Sequence, residues 1–214
     1  MTSTRRPSRS RAQALLEEAR DLIAAALAYP WHNIVDFGCG EGLHTAEFAK
    51  AGRIALGVDM TISTEAATAA NRGRYTLLQG SWWDLQPRTF DAGYSHHCLE
   101  HLRDPIGALH QWGQIVRPNG ILFLAVPTYR PTVAAGHIAT GWNIGQVAYC
   151  LAAAGFDCRA GRFRVGHNAV WAIVDRPQGL QLCERFGELK LLLPRGLNWN
   201  DAAHYCGEMT ALNW

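Results

Sequence analysis

The sequence lacks any apolar run of the roughly 18 residues a membrane span needs, so no crossing helix is expected. It lacks C-x-x-C spacing among its six cysteines, at 39, 98, 150, 158, 183 and 206. Reduced thiols in a cytoplasmic protein are therefore expected. It lacks a strong charge of one sign: 20 basic residues face 18 acidic ones, for a net +2. That gives no electrostatic reason to expect nucleic acid as a partner. The local basicity of residues 4–11 reads as a solvated arm. The apolar stretch after Arg20 keeps company with Glu17, Glu18 and Asp21, too acidic and amphipathic for a signal peptide. No internal repeat is visible.

What is present is 214 residues, 48% hydrophobic and 18% charged, enough for one domain with a real core. Leu15, Ala19, Leu22, Ile23, Ala26 and Leu27 recur at helical spacing up to Pro30. Short apolar runs follow at 34–37, 54–58, 75–78, 90–95 and 121–126, each a buried strand by length and composition. Helical patterns separate them, at 43–52, 61–72, 104–116 and 143–154. Strands are also expected at 156–165 and 169–174, joined by the tight turn Gly166-His167-Asn168. Alternating strands and helices predict an α/β fold, a Rossmann-like doubly wound sheet of seven strands. The last connection is too short for a parallel crossover, so the final strand is expected to be antiparallel. The expected divisions are an arm at 1–11, a domain at 12–175 and an extension at 176–214. In the extension, Leu182, Phe186, Leu189 and Leu193 suggest one more helix, packed on the domain or against a second copy in a homodimer.

The first strand ends in Gly38-Cys39-Gly40-Glu41-Gly42. A glycine turn there is where doubly wound folds bind nucleotides. The dinucleotide fingerprint needs a glycine where Leu43 stands, and no Lys-Ser or Lys-Thr pair marks a phosphate loop. Asp36 precedes the turn, where a carboxylate repels pyrophosphate and suits a cation.

The run from Val35 to Gly42 resembles the first motif of class I S-adenosylmethionine-dependent methyltransferases. So do Asp59 closing the second strand, Phe90-Asp91, Leu99-Glu100-His101 with Asp104-Pro105, and Val116 to Gly120. Ala154-Gly155-Phe156 and the reversed last strand extend the resemblance over roughly residues 30–175. It implies that Gly38 and Gly40 approach the methionine part of S-adenosyl-L-methionine and that Asp36 faces its charge. Asp59 would accept both ribose hydroxyls, with Met60 against adenine. Ser81 stands where similar enzymes often carry an acidic residue, and Trp82 is a stacking candidate that also reads as plain packing. Ser95 would lie at the methionine end.

Ser95-His96-His97-Cys98-Leu99-Glu100-His101 contains H-x-x-E-H, a zinc-peptidase pattern that belongs in a long helix. Here a strand precedes it and a helix start follows, so no metal is expected and the residues read as the wall of an active site. Methyl transfer to oxygen needs a positioned acceptor and a proton acceptor, for which His96, His97 and His137 are candidates. Each also reads as a structural hydrogen-bonding residue, and His44, in the helix after the glycine turn, reads as packing or as facing the ligand. A small-molecule acceptor, on oxygen or nitrogen, is the expectation. The alternatives are an RNA methyltransferase using the arginine arm and a non-catalytic binding subunit.

Overall fold

The computed structural model describes residues 10–128, 134–166, 168–183, 185–194 and 211–212. The basic arm before residue 10 and the tail at 195–210 lie outside them. Helix α1 (Arg11–Leu27) starts on a capping box: Ser10 Oγ accepts from Gln13 N, and the Gln13 side chain accepts from Ser10 N. Its apolar face buries Ala19, Leu22, Ile23 and Ala26. Then come β1 (Asn33–Phe37), α2 (Leu43–Lys50), β2 (Ile54–Asp59), α3 (Thr64–Gly73), β3 (Thr76–Gln79) and β4 (Phe90–His96). Asp104 caps α4 (Pro105–Ile115), with proline in the first turn where no N–H is missed. Next are β5 (Val116–Pro127), α5 (Ile144–Ala153), β6 (Arg162–Val165), β7 (Ala169–Asp175), α6 (Phe186–Leu189) and the two-residue β8 (Ala211–Leu212).

The sheet order is β3-β2-β1-β4-β5-β7-β6-β8. The first five strands are mutually parallel, and β7 lies antiparallel between β5 and β6. Seven strands make the expected doubly wound sheet, and β8 adds a short edge beside β6. Alternation on the strands builds two cores. Leu122, Leu124 and Val126 of β5 face α4 and α5, in one cluster with Leu109, Trp112 and Leu151. Ile121, Phe123 and Ala125 join the α1 side, with Leu22, Phe48 and Tyr94. The period of two in a strand makes this division automatic.

Three segments differ from expectation. The fifth strand begins at Val116, and its register to β4 shifts between Phe90 and Ala92, so Pro118-Asn119-Gly120 is absorbed as a bulge. Asn119 takes the left-handed conformation there. The sixth strand is only Arg162–Val165: Phe156 is buried beyond α5, and Asp157 pairs with Arg159 in a turn. The helix expected over Leu182–Leu193 shrinks to α6 and a 3-10 turn, Lys190–Leu192, with Leu182 exposed. Among the described residues beyond Asp175, Leu180, Leu189 and Leu193 are buried in the same cluster as Leu151 and Phe156.

Candidate active site

The β1–α2 turn is held in place by backbone. Gly38 N and Cys39 N both donate to Val58 O, and Gly42 N donates to Cys39 O. Gly38, Gly40 and Gly42 all have positive φ, which glycine adopts freely. The two expected ligand glycines differ. A Cβ on Gly38 would lie 2.4 Å from Cys98 Sγ, whereas one on Gly40 would meet nothing within 4 Å. Gly38 therefore serves a close approach of β1 to the β4 end, and Gly40 presents open backbone.

Asp59 closes β2 and reaches back to the turn. Its Oδ2 accepts from Gly40 N at 2.9 Å and its Oδ1 from Thr61 N at 3.1 Å. A carboxylate offers about four acceptor positions, so two remain. Met60 beside it is 66% exposed.

A cavity of about 670 Å³ lies over the turn. Gly38, Cys39, Gly40, Glu41, Leu43 and His44 form its floor, His96, His97 and His101 one wall, and Arg11, Ala12 and Leu15 of α1 its cover. Arg11 thus belongs to the domain and not to the arm. The wall histidines are not equivalent. Burial, with His44 and His97 nearby, drives the His96 pKa down to about 2, so its ring is neutral and its Nε2 has no hydrogen-bond partner. Burial lowers His44 to about 4. The His44 and His96 rings meet edge to face at 4.9 Å. At His97 burial also disfavours the charge, but the hydrogen bond and charge of Glu100 and the charge of Glu18 outweigh it and raise the pKa. His97 Nδ1 lies 3.1 Å from Glu100 Oε1, and Nε2 lies 3.3 Å from Glu18 Oε1 of α1. His97 holds a left-handed backbone, φ 55°, unusual away from glycine and a mark of an over-determined site.

The remaining expected site residues stand elsewhere. Asp36 is 1% exposed and accepts from Thr45 Oγ1 at 2.7 Å, so its carboxyl braces α2 instead of facing the cavity. Burial raises its pKa to about 7. Ser95 is buried and donates to Phe37 O, tying β4 to β1. Trp82 is core, edge to face with Phe37 and Trp112; the neighbouring Trp83 is the exposed indole, at 58%. Ser81 Oγ accepts from Trp83 N, capping the 3-10 turn Trp82–Asp84. His137 lies beside His101, ring centroids 5.1 Å apart, in a cleft of its own with Pro127, Thr128 and Trp142. Sequence reasoning passed over Glu18 as a site residue and left His44 between packing and facing the ligand; it lines the cavity. The signal for His44 was its place in the first turn of the helix that leaves the glycine turn.

A doubly wound sheet with a glycine turn, a carboxylate after β2 and a cavity at the carboxyl ends of the strands defines a nucleotide-type ligand domain. Residues 35–124 match the methyltransferase domain family. A ubiquinone biosynthesis O-methyltransferase of Xanthomonas campestris is 29% identical over 127 residues, 54% of this chain and 51% of its own. A trans-aconitate 2-methyltransferase of Deinococcus radiodurans is 34% identical over 113 residues, 51% of this chain and 43% of its own. The chain spans about half the length of these curated relatives or less. In fold it resembles the Burkholderia thailandensis 1,6-didemethyltoxoflavin-N1-methyltransferase, solved with 1,6-didemethyltoxoflavin and S-adenosylhomocysteine. The TM-score is 0.66 at 22% identity, over 77% of this chain and 81% of that one. Residues 35–124 thus match a methyltransferase domain, on a fold shared with that S-adenosylhomocysteine-bound enzyme.

Proposed function

We propose that the protein transfers a methyl group from S-adenosyl-L-methionine to an oxygen or nitrogen of a small-molecule acceptor. The observation that carries this reading is the cavity where the open backbone of Gly40 meets the histidine wall. The residues fit the cofactor. Asp59 keeps two acceptor positions for ribose hydroxyls, and Gly40 has no side chain to obstruct the ligand. The volume falls within the usual range for ligand pockets, about 300–1,000 Å³. The curated relatives above are named as O-methyltransferase and trans-aconitate 2-methyltransferase, which supports a small acceptor.

The bound cofactor supplies an electrophilic methyl group and its own leaving group. The protein's work is to orient the acceptor, exclude water and take a proton. His97 suits proton removal: Glu100 holds its Nδ1 side, fixing the ring as a carboxylate orients a catalytic histidine. Deprotonated His97 accepts the acceptor's proton through Nε2 once Glu18 yields that position. His96, neutral and with a free Nε2, orients the acceptor by a hydrogen bond. His137 lines a different cleft and takes no part in proton transfer in this reading.

The test is turnover of methyl-labelled cofactor against a panel of small hydroxy, carboxy and amino compounds, with RNA as a further arm. Label transfer to a small molecule, lowered at least about 100-fold in His97→Ala, is expected for general-base catalysis. Transfer to RNA alone, weakening steeply with salt, would replace this reading with the RNA enzyme. Cofactor binding without turnover on any acceptor would favour the binding subunit.

A further inference from the structure

The loop between β5 and α5 is fastened to the 3-10 turn Leu99–His101 by three hydrogen bonds. Ile138 N and Ala139 N both donate to Glu100 O, at 2.7 and 2.9 Å, and His101 Nδ1 pairs with Gly136 O at 2.9 Å. The fastening brings His137 beside His101. One ligand atom from each of Glu100, His101 and His137 then lies within 4.8 Å of the others.

The donor chemistry suits a metal ion. His101 Nδ1 faces a carbonyl, so it carries the proton and leaves Nε2 as a lone pair. A backbone carbonyl on the far nitrogen is the usual orienting partner of a metal-bound histidine. Glu100 is fully buried, and its Oε1 is engaged by His97. Its Oε2 is buried with no hydrogen-bond partner, a costly state for a carboxylate oxygen. His101 Nε2 approaches Glu100 Oε1 at 3.9 Å, so small side-chain rotations bring the donors within coordinating range. Two imidazoles and one carboxylate suit a borderline divalent metal and leave at least one position open.

We propose that Glu100, His101 and His137 bind one divalent transition-metal ion, with zinc as the occupant. This departs from the expectation that the H-x-x-E-H stretch holds no metal. That expectation weighed His97 and His101 as a ligand pair, and His97 instead lies between Glu18 and Glu100. The third ligand comes from a loop far along the chain, which spacing within the stretch does not reveal. His101 also lines the large cavity, so the ion sits in its wall.

The test uses the full, tag-free chain stripped with a chelator, with no cofactor or acceptor added, so its outcome is independent of the methyltransferase reading. Zinc titration by calorimetry and cobalt(II) titration by visible spectroscopy should each give one site per chain. His137→Ala and His101→Ala should each weaken binding by at least about tenfold, as even outer partners of a metal site do. Glu100→Gln should do the same. His137 is partly exposed, so His137→Ala should keep the wild-type melting temperature and remain informative if Glu100→Gln does not fold. His32→Ala, at an exposed histidine outside the cluster, should bind as wild type does. Absence of a one-to-one site in wild type, or binding unchanged in His137→Ala, would overturn the proposal.

Discussion

The place of Asp59 at the end of the second strand was legible in the sequence, because the buried apolar run stops there. Its grip on Gly40 N was not legible, since that bond needs two strand ends side by side. Asp59→Ala removes the brace on the turn and, under the proposed function, a ribose acceptor. It should weaken cofactor binding by about 1.5–3 kcal/mol, measured by calorimetry. The histidines show the opposite limit. Their positions were evident, but their protonation is set by burial and by Glu18 and Glu100. Histidine-specific NMR titration should therefore find His97 protonating above the free-imidazole value of about 6.5, and His44 and His96 below it. The stability contribution of His97 is complete below that value and is lost as pH rises through its folded pKa. For His44 the sign is reversed. The unfolded chain takes up the proton first, so stability falls as pH drops from about 6.5 toward about 4, by up to about 3 kcal/mol. His44→Gln should remove that part of the acid sensitivity. An unchanged melting-temperature slope over that window would contradict the buried neutral ring.

At the scale of elements, the strands and helices were readable because buried parallel strands are continuous apolar runs and the helices carry their own caps. Ser10, Asp104 and Asn143 each cap a helix where the pattern begins. Local pattern left open what tertiary contacts decide. Trp82 and Trp83 are chemically alike, and only the packing of Phe37 and Trp112 chooses which is buried. The family resemblance put Ser95 at the methionine end, and in the structure its hydroxyl donates to Phe37 O. The glycine turn makes a prediction that separates structure from binding. Gly38→Ala sets a Cβ against Cys98 and should lower stability by roughly 1–3 kcal/mol beyond the backbone strain. Gly40→Ala meets no atom, so it should cost only the left-handed strain, about 1–2 kcal/mol, while still impairing cofactor binding. Paired melting and calorimetric measurements check this, and equal stability losses in the two variants would contradict it.

At the scale of the whole molecule, the sequence showed that apolar surface beyond Asp175 had to be covered but not by what. Arg176 supplies the anchor. It is buried, and its guanidinium donates to Gly113 O of α4 and to the carbonyls of Pro177 and Gln178. Gly113 permits this approach, because a Cβ there would lie 2.5 Å from Leu180. Arg176→Ala strands these carbonyls and should destabilise the chain by about 2–3 kcal/mol. Limited proteolysis should then begin near residue 176, and cofactor affinity should stay within error of wild type. Cleavage of wild type at the same place and rate would show that 176–194 is not anchored.

The central claim is that the cavity over the glycine turn receives S-adenosyl-L-methionine. The most direct measurement is calorimetric titration of the full chain with S-adenosylmethionine, its demethylated product S-adenosylhomocysteine, and NADH. The account predicts one site per chain for the first two, with Kd in the micromolar range, about −8 kcal/mol, and no binding of NADH. Tight NADH binding with none of either sulfur-containing ligand would contradict it.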